Sequence, residues 1–332
     1  MSGHRRSVSI ALQTDKTANR YATLGTMVED LGFDGLSMFA DLGYQPPAGP
    51  MAVVARATTR LRLGVACQNP ALLHPVEIAG QVAVLDEMTG GRAYLGLARG
   101  AWLAGLGAPP STMARLADAV EIVTRLLAGD DSGYQGKELG MPPGFRLRFA
   151  GHRPQIDLLI GTWGSRTAGW AASVGAAEIK IGGTANPDMV RRMRSWLPTA
   201  AGAPGIVAGA VTVVDEDRAA ARVAARREVA MYLDVVAGLD PTVEVDPAVL
   251  RTLSALVGAG DHAAAGALVG DDLLDRFAFA GAPRDVAAQA EALFDAGAAR
   301  VEFGTPHGLS PSHGIELLGR QVLPALAHWR QV

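Results

Sequence analysis

Apolar residues fall into two kinds of run that alternate along the chain. Val8 to Gln13 (VSIALQ) is short and rich in β-branched and aliphatic residues, and Asn19 to Leu31 carries apolar residues at helical spacing. Gly32 then stands where a helix C′ residue belongs, and Asp34 to Phe39 (DGLSMF) resumes the strand pattern. The same junction returns at Ser173–Ala177 before EIKIG and at Asp295–Ala299 before RVEFG. Glycine at that point can take the left-handed conformation that turns a helix sharply into a strand. Further strands are predicted over Leu61–Gln68, Ala93–Ala98, Gln155–Trp163, Ile206–Val214 and Arg300–Thr305. Helices are predicted over Met51–Thr58, Pro75–Met88, Arg115–Leu127, Arg166–Val174, Pro187–Leu197, Arg218–Val236, Val286–Ala296 and Ser312–Ala327. Strands apolar on both faces belong in a parallel sheet covered by helices. Eight βα units predict a closed (β/α)8 barrel of the TIM type, formed by one domain over residues 1–332.

Two segments exceed a bare barrel. Residues 130–153 are rich in Gly and Pro with short alternating runs (Gly133-Tyr134-Gln135 and Phe145 to Phe149), which predicts a hairpin insertion before strand five. Residues 238–283 predict extra helices before the last barrel helix. Insertions of this length are either binding structures or surface padding.

Composition narrows the picture without selecting a function. Of 332 residues, 49% are hydrophobic and 19% charged, which fills a core and excludes disorder. A net charge of −3 without a basic stripe excludes a general nucleic-acid binder. The single cysteine, Cys67, forms no internal disulfide and no CxxC metal site, so a reducing cytoplasm is the expected setting. The N-terminal apolar run is too short for a signal peptide. The longest weakly polar stretch, Ala201 to Val214, falls far short of the roughly 20 residues of a membrane span.

Barrel active sites form at the C-terminal ends of the strands, so the polar residues following each strand are the candidates. These are Asp41 after strand two, Asn69 and His74 after strand three, Arg99 and Gly100 after strand four, and Gly161-Thr162-Trp163-Gly164-Ser165-Arg166 after strand five. Gly182-Gly183-Thr184 follows strand six, Asp215 strand seven, and Thr305-Pro306-His307-Gly308 strand eight. The glycines of GGRAYLGLARG do not match GxGxxG and begin inside a strand, and there is no P-loop, GxSxG or HExxH. Seven scattered histidines give no metal-ligand spacing, so no metal is expected; His4 and His328 lie near the termini, and His152, His262 and His313 read as surface or cap residues. The turns at Gly161–Thr167 and Leu309–His313 offer small residues and hydroxyls at a helix N-terminus, where either an anion or plain capping by Ser165 and Ser312 would serve.

Several blocks together resemble the luciferase-like superfamily, and within it the coenzyme F420-dependent methylenetetrahydromethanopterin reductases. They are EDLGFDG (Glu29–Gly35), RLGVACQNPALLHP (Arg62–Pro75), AVLDEMTGGRAYLGLARG (Ala83–Gly100), the stretch Leu256–Val286 and VEFGTPHGLSPSHGIELLGRQVLP (Val301–Pro324). The resemblance spans nearly the whole chain. It implies a deazaflavin, coenzyme F420, at the C-terminal mouth, or FMN if the chain follows the monooxygenase branch. It also implies a homodimer, and a non-prolyl cis peptide at the bond matching Ala66–Cys67.

By the same resemblance, cofactor contacts fall to Ala66, Cys67, Asn69, Arg99, Gly161, Thr162, Trp163, Gly164, Ser165, Gly182 and Gly183. The sequence departs from the reductases where they orient the pterin. Their strand-one Glu falls at Ala11, or at Gln13 in the alternative register. Their Asp-His after strand two is Ala40-Asp41, the Asp after strand four falls at Ala101, and the Gln after strand five at Trp163. The expected activity is therefore hydride transfer to an activated C=N or C=C bond of a small molecule or peptide, without pterin specificity. Asp41, His74 and His307 are the candidate proton donors. The alternatives are an FMN-dependent two-component monooxygenase and a non-catalytic paralogue serving as a dimer partner.

Overall fold

Eight parallel strands close on themselves in the computed structural model, which describes residues 5–101, 103–149, 151–199 and 202–326. His4, His328 and Ala327 (the end of the last predicted helix) lie outside these residues. The barrel strands are β1 (Ser7–Leu12), β2 (Gly35–Met38), β3 (Arg62–Gln68), β4 (Ala93–Ala98), β7 (Asp157–Gly161), β8 (Glu178–Gly182), β9 (Gly205–Val214) and β11 (Arg300–His307). The remaining labels go to β5 (Tyr134–Gln135), β6 (Gly140–Met141) and β10 (Ala278–Gly281). Each barrel strand pairs with its neighbour in chain order, and β11 pairs with β1 to close the ring. The predicted (β/α)8 barrel is the observed fold.

The helices α1 (Ala18–Asp30), α2 (Ala48–Ala57), α3 (Pro75–Thr89), α4 (Met113–Ala128), α5 (Ser165–Ser173), α6 (Pro187–Trp196) and α7 (Arg218–Ala230) cover the outside. Alternation within the strands explains the core. Ile10, Leu36, Leu63, Leu95, Ile160, Ile179, Ala208 and Phe303 point outward into one cluster with the helices. The intervening residues face the bore. The Gly32, Gly175 and Gly297 junctions take positive φ as the sequence pattern requires.

Three expectations are corrected. The helix predicted over Arg218–Val236 breaks at Met231 and Tyr232, so a short α8 (Leu233–Val236) follows α7. The Tyr232 hydroxyl donates to the Phe277 carbonyl at 2.6 Å, which anchors the break. The hairpin insertion pairs Tyr134–Gln135 with Gly140–Met141, whereas Phe145–Phe149 is irregular. Asp118 holds that hairpin, its carboxylate accepting from the Glu138 and Leu139 amides and the Tyr134 hydroxyl at 2.7–3.0 Å.

The third correction concerns residues 238–283. Besides α9 (Pro247–Gly258), α10 (His262–Ala267) and α11 (Asp271–Phe277), this segment contains β10. β10 pairs with Val211–Val214 of β9, beyond the point at which β8 ends its pairing at Gly209. Helices α12 (Pro283–Asp295) and α13 (Pro311–Leu317) follow β10 and β11.

Candidate functional site

The bore of the barrel divides into two halves. Toward the N-terminal ends of the strands it is filled by an ionic network, exposed at Arg62 and Asp157 and buried further in. Arg62 donates to Glu178 at 2.7 Å and to Asp157 at 2.9 Å, and Arg300 donates to Glu178 at 3.0 Å. The guanidinium groups of Arg62 and Arg300 stand 4.8 and 5.0 Å from the centre of the Tyr94 ring. Gly64 makes room for that ring, since a Cβ there would lie 2.6 Å from it. The Tyr94 hydroxyl pairs with Ser37 Oγ at 2.6 Å, and Ser37 and Ser9 both donate to Glu302.

Glu302 forms a short ion pair with Lys180, and both side chains are almost fully buried. Lys180 Nζ also donates to the Ala66 carbonyl at 3.3 Å and stands 5.2 Å from the centre of the Phe39 ring. Burial works against both charges. The Lys180 ammonium nevertheless sits above its ordinary value because Glu302 faces it, and Lys180 with Arg300 holds the Glu302 carboxyl below the usual range. Both groups are charged at neutral pH.

Above this network six inward positions carry almost no side chain, while the Phe39 ring enters the bore from the end of β2. The six are Ala11, Ala66, Ala98, Gly161, Gly182 and Gly304 on β1, β3, β4, β7, β8 and β11. A Cβ built on Gly182 would meet nothing closer than Lys180 Cε at 3.9 Å, so its side of the bore is open. β3 bulges here. Its register against β4 shifts between Val65 and Gln68, and the Ala66–Cys67 peptide is cis. Gly96 and Gly161 accommodate the bulge, since Cβ atoms there would lie 2.4 Å from the Val65 carbonyl oxygen and 2.8 Å from Cys67 Sγ. Cys67 is partly exposed, but burial pushes its thiol up to about 11, against the opposing pull of Lys180.

The structure gives the three predicted proton donors three different settings. Asp41 is exposed on the rim after β2, where Gln13 Nε2 donates to it at 2.8 Å. His74 is exposed and caps α3, with Nδ1 accepting from the Val76 amide at 3.3 Å. His307 is buried at 1% exposure, has φ +78, and donates from Nε2 to the Ala11 carbonyl at 3.1 Å. Burial depresses its imidazole to about 4, with nearby Lys16 acting in the same sense. His307 is therefore neutral at pH 7, with its proton engaged on β1.

The predicted cofactor contacts spread around the mouth. Asn69 is buried, and its side-chain oxygen accepts from the Ala71 and Leu72 amides at 3.2 and 3.1 Å. Arg99 is exposed and donates to the Ser111 carbonyl. Thr162 Oγ1 accepts from the Gly164 amide at 3.1 Å, and Trp163 packs partly buried between the two large apolar clusters. Gly183 has φ +86 and donates its amide to Gly209.

Capping by Ser165 and Ser312 is not what is observed. The N-cap positions are Gly164 and Ser310, neither with a side-chain cap, and Ser312 accepts instead from Arg20. The first turn of α5 is thus left with uncapped amides at the mouth. The buried Thr14 and Ser111 hydroxyls, on loops at the same end, have no protein partner among the described residues.

Sequence reasoning missed the Lys180–Glu302 pair, although a signal existed. A Lys in the middle of EIKIG and a Glu in the middle of VEFG alternate with apolar residues that must face the helices. It also gave no metal site. The one group of suitable side chains among the described residues is Asp215, Glu216 and His313, with ligand atoms within 4.8 Å of one another on the surface. His313 and Glu216 already satisfy each other as an ion pair at 2.9 Å.

A closed parallel barrel with a charged lower bore and a small-residue, bulged mouth is the scaffold of a mouth-binding α/β-barrel protein. The luciferase-like monooxygenase family model matches residues 4–300, and the chain belongs to that family. It is 27% identical over 325 residues to the 5,10-methylenetetrahydromethanopterin reductase of Archaeoglobus fulgidus, covering 90% of this chain and 93% of that protein. The coenzyme F420-dependent tetrahydromethanopterin reductase of Methanopyrus kandleri has the same fold, with a TM-score of 0.86 at 23% identity over 96% of this chain and 99% of that one. A type II Baeyer–Villiger monooxygenase from Pseudomonas putida in complex with FMN superposes with a TM-score of 0.65 at 14% identity, over 96% and 98%. The resemblance read from the sequence blocks is thereby borne out at the level of the family.

Proposed function

We propose that this protein is a coenzyme F420-dependent oxidoreductase that reduces an activated C=N or C=C bond of a small molecule or peptide. The observation that carries the reading is the upper bore, open beside Gly182 and lined at six inward positions by alanine or glycine, over a buried charged floor. Such a space fits a flat tricyclic ring, and the uncapped amides at the start of α5 fit an anionic group on its tail. The likeness to an F420-dependent tetrahydromethanopterin reductase over most of both chains supports the deazaflavin.

When bound, the reduced deazaflavin supplies the hydride. The chain's part is orientation. Ala66 and Cys67, accommodated by Gly161, would back one face of the ring, Gly182 leaves room beside it, and Thr162, Gly164, Ser165 and Gly183 line the turns where the tail would run. Asn69 and Arg99 brace the loops after β3 and β4. Gln13 and Asp41 present a hydrogen-bonded pair at the rim, suited to orienting an N–H or O–H of the substrate. Addition to C=C also requires a proton on the neighbouring carbon. Asp41 is the titratable side chain that remains for this task on the rim. His307 holds β1 against β11 instead, and His74 holds the start of α3.

The whole chain works in this reading as one barrel domain. The homodimer that the resemblance implies would cover the groove between α2 and α3, about 320 Å³, lined by Val84, Met88 and Phe149. Sedimentation analysis is expected to give twice the monomer mass.

Binding titrations with coenzyme F420 and with FMN test the cofactor. Tight binding of F420 alone is expected. A preference for FMN moves the protein to the monooxygenase reading, and binding of neither makes it a non-catalytic paralogue.

A further inference from the structure

The floor of the mouth is held from below by one side chain. The Ala66 carbonyl belongs to the bulged residues of β3, where the regular ladder with β4 is interrupted. Its hydrogen bond comes from Lys180 Nζ, which arrives from β8 across the bore at 3.3 Å. Lys180 is 114 residues from Ala66 in sequence, so no local turn could replace the contact. Its charge is balanced by Glu302 from β11, which Ser9 and Ser37 orient from β1 and β2. Five strands thus converge on a single ammonium–carboxylate pair directly beneath Ala66 and Cys67.

A purely structural pair would be an expensive way to fill the bore, because an apolar pair of similar volume is often as stable or more so. An apolar pair, however, could not donate to the Ala66 carbonyl. We infer that Lys180 is a positioning residue, which fixes the Ala66 carbonyl and so sets the surface against which the cofactor ring rests, with Glu302 as the counter-charge that keeps it buried. This rests on the cofactor reading above only in its last step. That the floor is held by Lys180 is a property of the protein alone.

The single thiol of the chain reports on that floor, since Cys67 is the residue after Ala66. The test compares wild type with the double variant Lys180→Met/Glu302→Gln, which removes one positive and one negative charge together and so leaves the net charge near the thiol unchanged. Lys180→Met alone would leave Glu302 buried and unpaired, which the double variant avoids; its melting temperature establishes that it is folded. The alkylation rate of Cys67 by N-ethylmaleimide is then measured without cofactor, followed by F420 affinity.

The double variant is expected to alkylate about tenfold faster and to bind F420 about tenfold more weakly, about 1.4 kcal/mol, at a melting temperature close to wild type. Equal alkylation rates overturn the positioning role. Faster alkylation with unchanged F420 affinity overturns the link from floor to cofactor. If wild type binds neither F420 nor FMN, the proposed function falls, while the alkylation rates still decide whether Lys180 holds the floor.

Discussion

The lower and upper halves of the same bore are built on opposite principles. Below, Arg62, Glu178, Arg300, Tyr94, Glu302 and Lys180 fill the space with paired charge, where barrels of this type commonly pack branched apolar residues. Above, Ala11, Ala66, Ala98, Gly161, Gly182 and Gly304 carry little or no side chain, and the bore is open beside Gly182. The lower half makes the strands depend on one another, since each ionic contact joins strands distant in sequence. The upper half gives up packing to make room for a ligand. Stability and binding are therefore separated by height along the barrel axis, and variants at the two levels should fail in different ways.

The largest effect is expected below. Lys180→Met leaves Glu302 buried without its counter-charge and should cost about 3–5 kcal/mol of stability, read by denaturant unfolding. Restoration of most of that loss in Lys180→Met/Glu302→Gln is part of the expectation; no restoration would mean that the cost comes from packing and not from charge.

His307 sits at the C-terminal end of β11, and its effect depends on pH. Its folded value of about 4 lies below the ordinary 6.5, so the unfolded chain binds more protons between these limits. The stability it contributes is present above about pH 6.5 and is lost as the pH falls toward 4, by about 3 kcal/mol. His307→Asn keeps a residue that tolerates positive φ and removes the titration. Melting curves across this range should fall more steeply for wild type than for the variant. Parallel curves would place the acid sensitivity elsewhere.

Above, the expected changes fall on binding. Gly182→Leu fills the open side of the mouth and should weaken F420 binding by 10- to 100-fold, about 1.4–2.7 kcal/mol. The melting temperature should hardly move, because the nearest atom to a Cβ there is 3.9 Å away. A large fall in stability with normal binding would break the separation drawn here. Asp41→Asn is expected to have the smallest effect on the fold, within about 0.5 kcal/mol for an exposed residue. Its reading is a loss of turnover at unchanged F420 affinity.

The barrel itself was legible because its information is local and periodic. VSIALQ, LRLGVACQ and AYLGLA read as strands, and the Gly32, Gly175 and Gly297 junctions mark where helices stop. β10 was not legible. Phe277 to Ala280 alternates over too few residues to stand out beside helical neighbours, and it is a strand only because the C-terminal half of β9 offers it an edge. The site was legible in location and less so in role. His307 follows a strand as Asp41 does, but its partner is a carbonyl 296 residues away, which no spacing rule reveals. The Lys180–Glu302 pair could have been found from strand alternation alone, by asking which charged residues the pattern turns inward.

The uneven height of the barrel wall bears on how anything gets in. β9 is ten residues long and carries β10 on its upper edge, with α8 to α11 gathered nearby. On that side the entrance is framed by hydrogen-bonded sheet. The loops after β1 to β4 frame the opposite side, and loops shift at far lower cost than a paired strand. Any breathing of the entrance would therefore be one-sided, like a door against a fixed jamb. A long or branched molecule would be admitted by the moving side and aligned by the still one.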